Sequence, residues 1–304
     1  MNDEIKTMHR YLHLDVFTDR RFEGNQLAVF PQPGRLTSAE MQQIANEMNF
    51  SETTFIFPKE GTGDVRMRIF TPKAELPMAG HPTIGSTFAL ALEGVITPDR
   101  QEFVFELGTG PTPVALEWSG STLTFAWMTM PLPTFAETIQ DRGALAAALG
   151  LSPSDLGDGF PIQSVSCGVP FLFVPVATRA AVDSVTIDAK AISRCFANAA
   201  MAELPVFIFT LDGSVNETVY SRMLASAFGI AEDPATGGAS GPLGSYLLRY
   251  GLVPADTARD MVSLQGVAMG RPSRIHISID SQNGSITRVR IGGTSVLAGR
   301  GELI

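Results

Sequence analysis

Short apolar runs, rich in β-branched and aromatic residues and bounded by Gly, Pro or Asn, recur along the chain. They predict strands over Tyr11–Phe17, Leu27–Phe30, Thr54–Phe57, Val65–Phe70, Glu102–Leu107, Thr112–Trp118 and Leu123–Met128. An amphipathic helix is predicted over Ser38–Met48, with Ser38 as N-cap and Met41, Ile44, Ala45 and Met48 at helical spacing. The second half repeats the mixture, with strands over Ser164–Ser166, Phe171–Val176, Val206–Leu211 and Val219–Met223 and a helix near Lys190–Asn198. The tail returns to strands over Ile275–Ile279, Ile286–Ile291 and Thr294–Ala298. Between the halves, Pro131 to Pro161 is rich in Pro, Gly and Asp and reads as a linker carrying one short helix, Ala144–Leu149.

Two further helices are predicted over Thr83–Glu93 and Leu243–Tyr250, each stopped by a glycine, Gly94 and Gly251. Both patterns are apolar nearly all round and hold small residues, with Gly85, Gly241 and Gly244 inside or at the start. A glycine inside a helix costs roughly 1 kcal/mol relative to alanine, so its presence points to another backbone approaching closely. A layer of strands wrapped round a central helix accounts for both features.

The segments that open these helices echo one another. Glu75-Leu-Pro-Met-Ala-Gly-His-Pro-Thr-Ile-Gly85 returns in altered form as Glu232-Asp-Pro-Ala-Thr-Gly-Gly-Ala-Ser-Gly241. Three earlier landmarks recur in the same order. Gly24–Phe30 corresponds to Gly168–Val174, Phe55-Ile-Phe-Pro58 to Phe207-Ile-Phe-Thr210, and Arg68 to Arg222. An ordered set of this kind indicates a duplicated architecture. Each echoed turn leaves backbone N–H groups at a helix start without intrahelical partners, which favours anion binding.

Composition narrows the function. A length of 304 residues suits about two domains, placed here as 1–130 and 131–284, with the final strands near 285–304 completing the first. A net charge of −9 without a basic run makes nucleic acid and anionic membrane unexpected partners. No run of about 18 apolar residues is present. Charged Asp3, Glu4 and Lys6 near the start are unlike a secretory signal. Cys167 and Cys195 form no CxxC pair and fit reduced thiols in a cytoplasmic protein. Four widely spaced histidines give no metal-binding pattern, so no metal is expected.

Candidate chemistry gathers at the turns. Glu52, just before an apolar strand, would be anchored by that strand, and partial desolvation would suit it to move a proton near neutral pH. His81 follows Gly80 and precedes Pro82 at a helix start, where its imidazole pKa should fall. Asp233 stands in the second copy where the first has Leu76. Gly80, Gly237 and Gly238 offer bare backbone N–H groups to a carboxylate. Glu75 and Glu232 occupy equivalent places and are expected to share a structural task, such as pairing with Arg68 and Arg222. Neither cysteine has the surroundings of a nucleophile, and Gly108-Thr-Gly110 is no phosphate loop.

Taken together, Gly24-Asn25, Ser51-Glu52-Thr53, Arg68–Pro72 through Glu75–Thr83, Glu232–Gly237 and Gln265-Gly266 with Gly270–Ser273 resemble the phenazine-biosynthesis PhzF-like isomerase family. The resemblance spans essentially the whole chain. It implies an α+β, diaminopimelate-epimerase-like fold of two pseudo-symmetric domains, each a curled, barrel-like mixed sheet around a central helix, with the active site in the cleft between them. It also implies a cofactor-independent isomerase, commonly a homodimer, acting by acid/base catalysis on a small carboxylate. Glu52 then matches the acid/base that shuttles the proton, and His81 and Asp233 the flanking catalytic residues. Asn25, Ser51, Gly80, Gly237 and Gly238 fall to substrate binding. The chain departs from the family with Gln26 after Gly24-Asn25, where proline is frequent, and with Gly238, where serine is frequent. Two other readings stay open: a small-carboxylate binder without chemistry, supported by the missing hydroxyl at Gly238, and an amino-acid racemase using Glu52 and Asp233 as opposed bases. Family relatives that racemise through paired thiols have cysteines at these turns, and this chain has none there.

Overall fold

The computed structural model describes residues 8–212, 216–225 and 230–304; Asp3, Glu4 and Lys6 lie outside them. The chain divides into two compact units, Met1–Met128 with Gly293–Ile304, and Thr129–Gly292.

In the first unit the elements run β1 (His9–Val16), β2 (Asn25–Phe30), α1 (Ser38–Met48), β3 (Glu52–Pro58), β4 (Val65–Phe70), the short β5 (Glu75–Leu76), α2 (Gly80–Leu92), β6 (Glu102–Leu107), β7 (Gly110–Ser119) and β8 (Thr122–Met130). The second has β9 (Thr134–Ile139), α3 (Arg142–Ala148), β10 (Ile162–Ser166), β11 (Pro170–Pro175), α4 (Arg179–Ser184), α5 (Ala189–Asn198), β12 (Val206–Thr210), β13 (Val219–Ala225), β14 (Ile230–Asp233), α6 (Gly237–Arg249), β15 (Met261–Gln265), β16 (Ser273–Gln282) and β17 (Ser285–Gly293). The last strand, β18 (Ser295–Leu303), pairs with β1 in the first unit.

Strand pairing repeats between the units. The first follows β18-β1-β2-β3-β4-β6-β7-β8, with β2–β3 and β4–β6 parallel and the other neighbours antiparallel. The second follows β9-β10-β11-β12-β13-β15-β16-β17, with β11–β12 and β13–β15 parallel and the rest antiparallel. A parallel neighbour requires a crossover. In each unit the second crossover contains the echoed turn and the helix it opens, α2 or α6. All four sequence landmarks fall on corresponding elements.

Strands β2 and β3 in the first unit, and β11 and β12 in the second, are buried on both faces. Along β3, Phe55 and Phe57 join Ala28, Phe30, Met41, Ala45 and Phe70 in the core beneath α1. Thr54, on the opposite face, hydrogen-bonds Ser86 of α2 at 2.9 Å. In the second unit α3, α4 and α5 supply Leu145, Val182 and Phe196 to the corresponding outer core. The segment expected to be a linker is therefore part of this domain: Ile139 of β9 and Leu145 of α3 are core residues. Its strand, Thr-Phe-Ala-Glu-Thr-Ile, is mostly exposed and polar, which explains the weak sequence signal.

Both central helices begin earlier than the periodicity predicts, at Gly80 and Gly237 instead of Thr83 and Leu243. Pro242 lies inside α6 and lacks the N–H that would bond the carbonyl of Gly238, so the local signal places the start after it. Tertiary burial overrides that signal: every residue from Gly80 to Leu90 is buried. In α1 the N-cap is Thr37, not Ser38. The Thr37 hydroxyl accepts from the Glu40 amide at 3.3 Å, and the Glu40 carboxylate accepts from the Thr37 amide at 2.7 Å, closing a capping box.

The glycines follow this packing. A Cβ on Gly244 would come within 2.5 Å of Ile277 and 2.9 Å of Met261. A Cβ on Gly238 would meet only the Phe171 ring, at 3.8 Å. Urea unfolding should separate the two sites. Gly244→Ala is expected to lose about 1–3 kcal/mol through overpacking, and Gly238→Ala to gain about 0.4–1 kcal/mol through a less flexible unfolded chain. Equal effects would contradict the packing described here.

Candidate active site

The first unit brings Asn25, Glu52 and His81 together where β2, β3 and α2 begin. Gly24 precedes Asn25 with a φ of +67°, and a Cβ there would lie 2.3 Å from the Val16 carbonyl oxygen. Only glycine allows β2 to leave its turn at that point. Glu52 is the first residue of β3 and shares the α2-facing side with Thr54, two positions on. The Thr54–Ser86 hydrogen bond ties the strand to the helix beside it. His81 lies in the first turn of α2, which has no side-chain cap at Ala79. Gly80 is buried at the same helix start, and Ser51 is half-buried beside Glu52.

Nδ1 of His81 is 3.1 Å from Oε2 of Glu52 and 3.3 Å from Nδ2 of Asn25. The imidazole is 3% exposed and the glutamate side chain 13%, so the carboxyl is largely withdrawn from solvent. Burial pushes the His81 pKa down to about 3, opposed by a backbone hydrogen bond with Gln26. The direction matches the expectation from a helix start, but the leading cause is desolvation. At pH 7 the ring is therefore neutral, and it lies beside the Glu52 carboxyl group, 3.1 Å from Oε2, without adding a charge there.

A neutral ring presents at Nδ1 either one N–H or one lone pair. The N–H form suits an ionised Glu52, and the lone-pair form suits a protonated Glu52 or the Asn25 amide, one partner at a time.

The second unit holds Asp233, Gly237 and Gly238 at the start of α6. Asp233 ends β14 and is buried. Its Oδ2 accepts from the Thr236 hydroxyl at 2.6 Å. The Gln265 amide grips the same turn: Nε2 donates to the Asp233 carbonyl at 2.7 Å and to Thr236 Oγ1 at 3.0 Å, while Oε1 accepts from the Thr236 amide at 3.1 Å. Gly266 follows with a φ of +76°, where a Cβ would strike the carbonyl oxygens of Arg271 and Pro234 at 2.4 and 2.5 Å. Sequence reasoning quoted Thr236 and Gln265 within motifs but gave neither a role. The Asp-x-x-Thr spacing was the available signal for the first. The second reaches the turn from a distant strand and has no local signature.

Glu75 and Glu232 do form the expected pairs. Arg68 donates through Nε and Nη2 to the two Glu75 oxygens at 2.7 and 2.6 Å, and also to Ser38 Oγ of α1 at 3.0 Å. Arg222 grips Glu232 in the same way at 3.0 and 2.8 Å, and its Nη1 donates to the carbonyls of Val182, Asp183 and Val185 at the end of α4. In each unit the fork joins an outer helix to the strand that precedes the central helix. Such two-pronged pairs fix geometry as well as adding energy.

Cys167 and Cys195 are both buried. Desolvation pushes the Cys167 thiol up to about 12 and raises that of Cys195, leaving little thiolate at neutral pH. Among the described residues no three His, Cys, Asp or Glu side chains gather as a metal site, and no helix is long and apolar enough to cross a membrane.

A family model described as phenazine biosynthesis-like protein matches residues 14–301. The trans-2,3-dihydro-3-hydroxyanthranilate isomerase of Pseudomonas chlororaphis is 34% identical, with 98% of this chain and 100% of that protein covered. An uncharacterized isomerase of Escherichia coli K12, YddE, is 30% identical over 94% of this chain and 95% of its own. Among solved structures, a PhzF-family phenazine biosynthesis protein of Bacillus anthracis superposes with a TM-score of 0.88 at 27% identity, over 98% of this chain and 99% of that one. A hydroxyproline epimerase of Agrobacterium vitis shares the fold, with a TM-score of 0.67 at 13% identity over 98% and 93%.

The buried imidazole makes a pH-dependent contribution to stability. Its folded pKa, about 3, lies below the unfolded value near 6.5. The unfolded chain therefore takes up a proton that the folded chain refuses as the pH falls through this window. The stability associated with neutral His81 is full above pH 6.5 and declines toward pH 3, by at most about 1.4 kcal/mol per pH unit. Urea unfolding of the wild type and His81→Gln between pH 7 and 4 checks this. The wild type should lose stability more steeply, and parallel curves would contradict a neutral buried ring.

Proposed function

The chain belongs to the phenazine biosynthesis-like protein family, with the diaminopimelate-epimerase-like fold, and is an isomerase; from that premise we propose that it moves a proton within a small carboxylate substrate, with Glu52 as the group that takes and returns it. The observation that carries this reading is the Glu52 carboxyl group, 13% exposed and 3.1 Å from a neutral imidazole. Such a carboxyl can act first as base and then as acid without leaving its place, which general acid–base catalysis requires. His81, being neutral, can face either form of that carboxyl group without holding it as an ion pair.

In this proposal the substrate carboxylate rests against the backbone N–H groups at the starts of α2 and α6, in a cleft between the two domains. Gly80, Gly237 and Gly238 keep those groups accessible, and Asn25 and Ser51 complete the binding side. Asp233 orients the substrate and helps the proton move. The reaction needs no cofactor, because the carboxyl group supplies both acid and base.

The relatives named for trans-2,3-dihydro-3-hydroxyanthranilate indicate the first compound to try, a ring bearing carboxylate, amino and hydroxyl groups. Gly238 makes a related but altered substrate worth including, since it leaves open space beside Phe171. Incubation with this compound and a panel of cyclic unsaturated carboxylates in heavy water should put deuterium on the substrate carbon. Glu52→Gln should still bind the active carboxylate by calorimetry while turnover falls about 10²–10⁴-fold. Full turnover in that variant would remove Glu52 from the mechanism. Binding without exchange in the wild type would leave a carboxylate binder.

A further inference from the structure

The hydrogen bonds around Asp233 have a fixed direction. A backbone amide can only donate and a backbone carbonyl can only accept. Gln265 faces one of each, since Oε1 meets the Thr236 amide and Nε2 meets the Asp233 carbonyl. Its side-chain amide is therefore pinned at both ends and cannot be flipped without losing both bonds. Nε2 must then donate to Thr236 Oγ1 as well, at 3.0 Å. That hydroxyl, already an acceptor from Gln265, has its single hydrogen for Asp233 Oδ2, 2.6 Å away. Gln265 is completely buried and Thr236 nearly so, which shields the chain of bonds from competing water.

We propose that Gln265 and Thr236 are positioning residues that commit Oδ2 of Asp233 to the acceptor role, so that Asp233 meets the substrate, and carries any proton, at Oδ1. This rests on the reading of Asp233 as a substrate-orienting group. A hydrogen bond donated to Oδ2 engages that oxygen as an acceptor. If Asp233 is protonated during turnover, the proton goes to Oδ1, and Oδ2 still accepts from Thr236. The carboxyl plane is thereby fixed, and one oxygen is assigned to the reaction. The Arg222–Glu232 fork holds the preceding residue from the other side of the strand. The turn is thus gripped both before and after Asp233.

The test uses the full chain carrying aspartate labelled with ¹³C at Cγ, with the Asp233 resonance identified by its loss in Asp233→Asn. The wild type and Thr236→Ser should both show a displacement of this resonance between H₂O and D₂O, arising from the donated hydroxyl. Thr236→Val keeps the shape and should lose the displacement, and Gln265→Met, which frees the hydroxyl, should weaken it. With trans-2,3-dihydro-3-hydroxyanthranilate as the probe, kcat should fall about 10- to 100-fold in Thr236→Val, the range for a lost hydrogen bond to a charged group. KM should change little, and serine should restore turnover. A Thr236→Val protein that melts within about 3 °C of the wild type but keeps its carboxyl resonance and kcat would overturn the proposal. If the wild type does not turn over the probe, or Asp233→Asn turns it over normally, the catalytic reading of Asp233 fails by itself. The carboxyl resonance then decides separately whether Thr236 donates to Oδ2.

Discussion

A helix enclosed by strands on every side has no solvent-facing flank for large or charged side chains. α2 and α6 are built under this constraint, and much of the site's character follows from it. Glycine is used in them where the surrounding strands leave no room, as the Cβ distances at Gly85 and Gly244 show. Their first turns lack a capping side chain, at Ala79 and at Thr236 alike. A helix of this kind presents backbone N–H groups at its start, where the partial positive charge of the helix is greatest. Close packing and an uncapped first turn go together in both helices.

The same enclosure governs the acid/base pair. His81 enters the barrel with α2, and burial there removes most of its basicity. A charged imidazole beside Glu52 would hold the glutamate as a permanent carboxylate in an ion pair. A neutral one makes no such ion pair, which is what the proposed proton transfer through Glu52 requires. Glu52 reaches this position through strand alternation: Phe55 and Phe57 secure one face of β3 beneath α1, while Thr54 anchors the other against α2. The outer core thus sets the direction of the Glu52 carboxyl group.

Much of this was legible in the sequence, for identifiable reasons. Strands were visible because apolar residues cluster in short runs with turn residues between them, and the duplication was visible because both copies kept their landmarks in order. The paired tasks of Glu75 and Glu232 could be inferred from equivalence alone, and both forks are present. Where local signals compete with packing, the reading was less accurate. Gly80, Pro82, Gly237 and Pro242 argue against early helix starts, yet burial places them in helices. β9 has too little apolar character to stand out from a linker. Gln265 could not be assigned from its neighbours, because its partners lie some thirty residues earlier, at Asp233 and Thr236.

In the proposed mechanism each half of the duplicated chain has a distinct chemical part on a common frame. One copy of the turn is followed by His81 beside Glu52; the other begins with Asp233, secured by Thr236 and Gln265. The forks, the small-residue helices and the strand order are shared, while the titratable groups differ. The most direct measurement is a crystal structure with an unreactive carboxylate analogue bound. The expected result is a Glu52 oxygen within about 3.5 Å of the carbon that exchanges its proton, with His81 still beside the carboxyl group. A bound analogue whose reactive carbon lies beyond the reach of Glu52, with another side chain in its place, would contradict it.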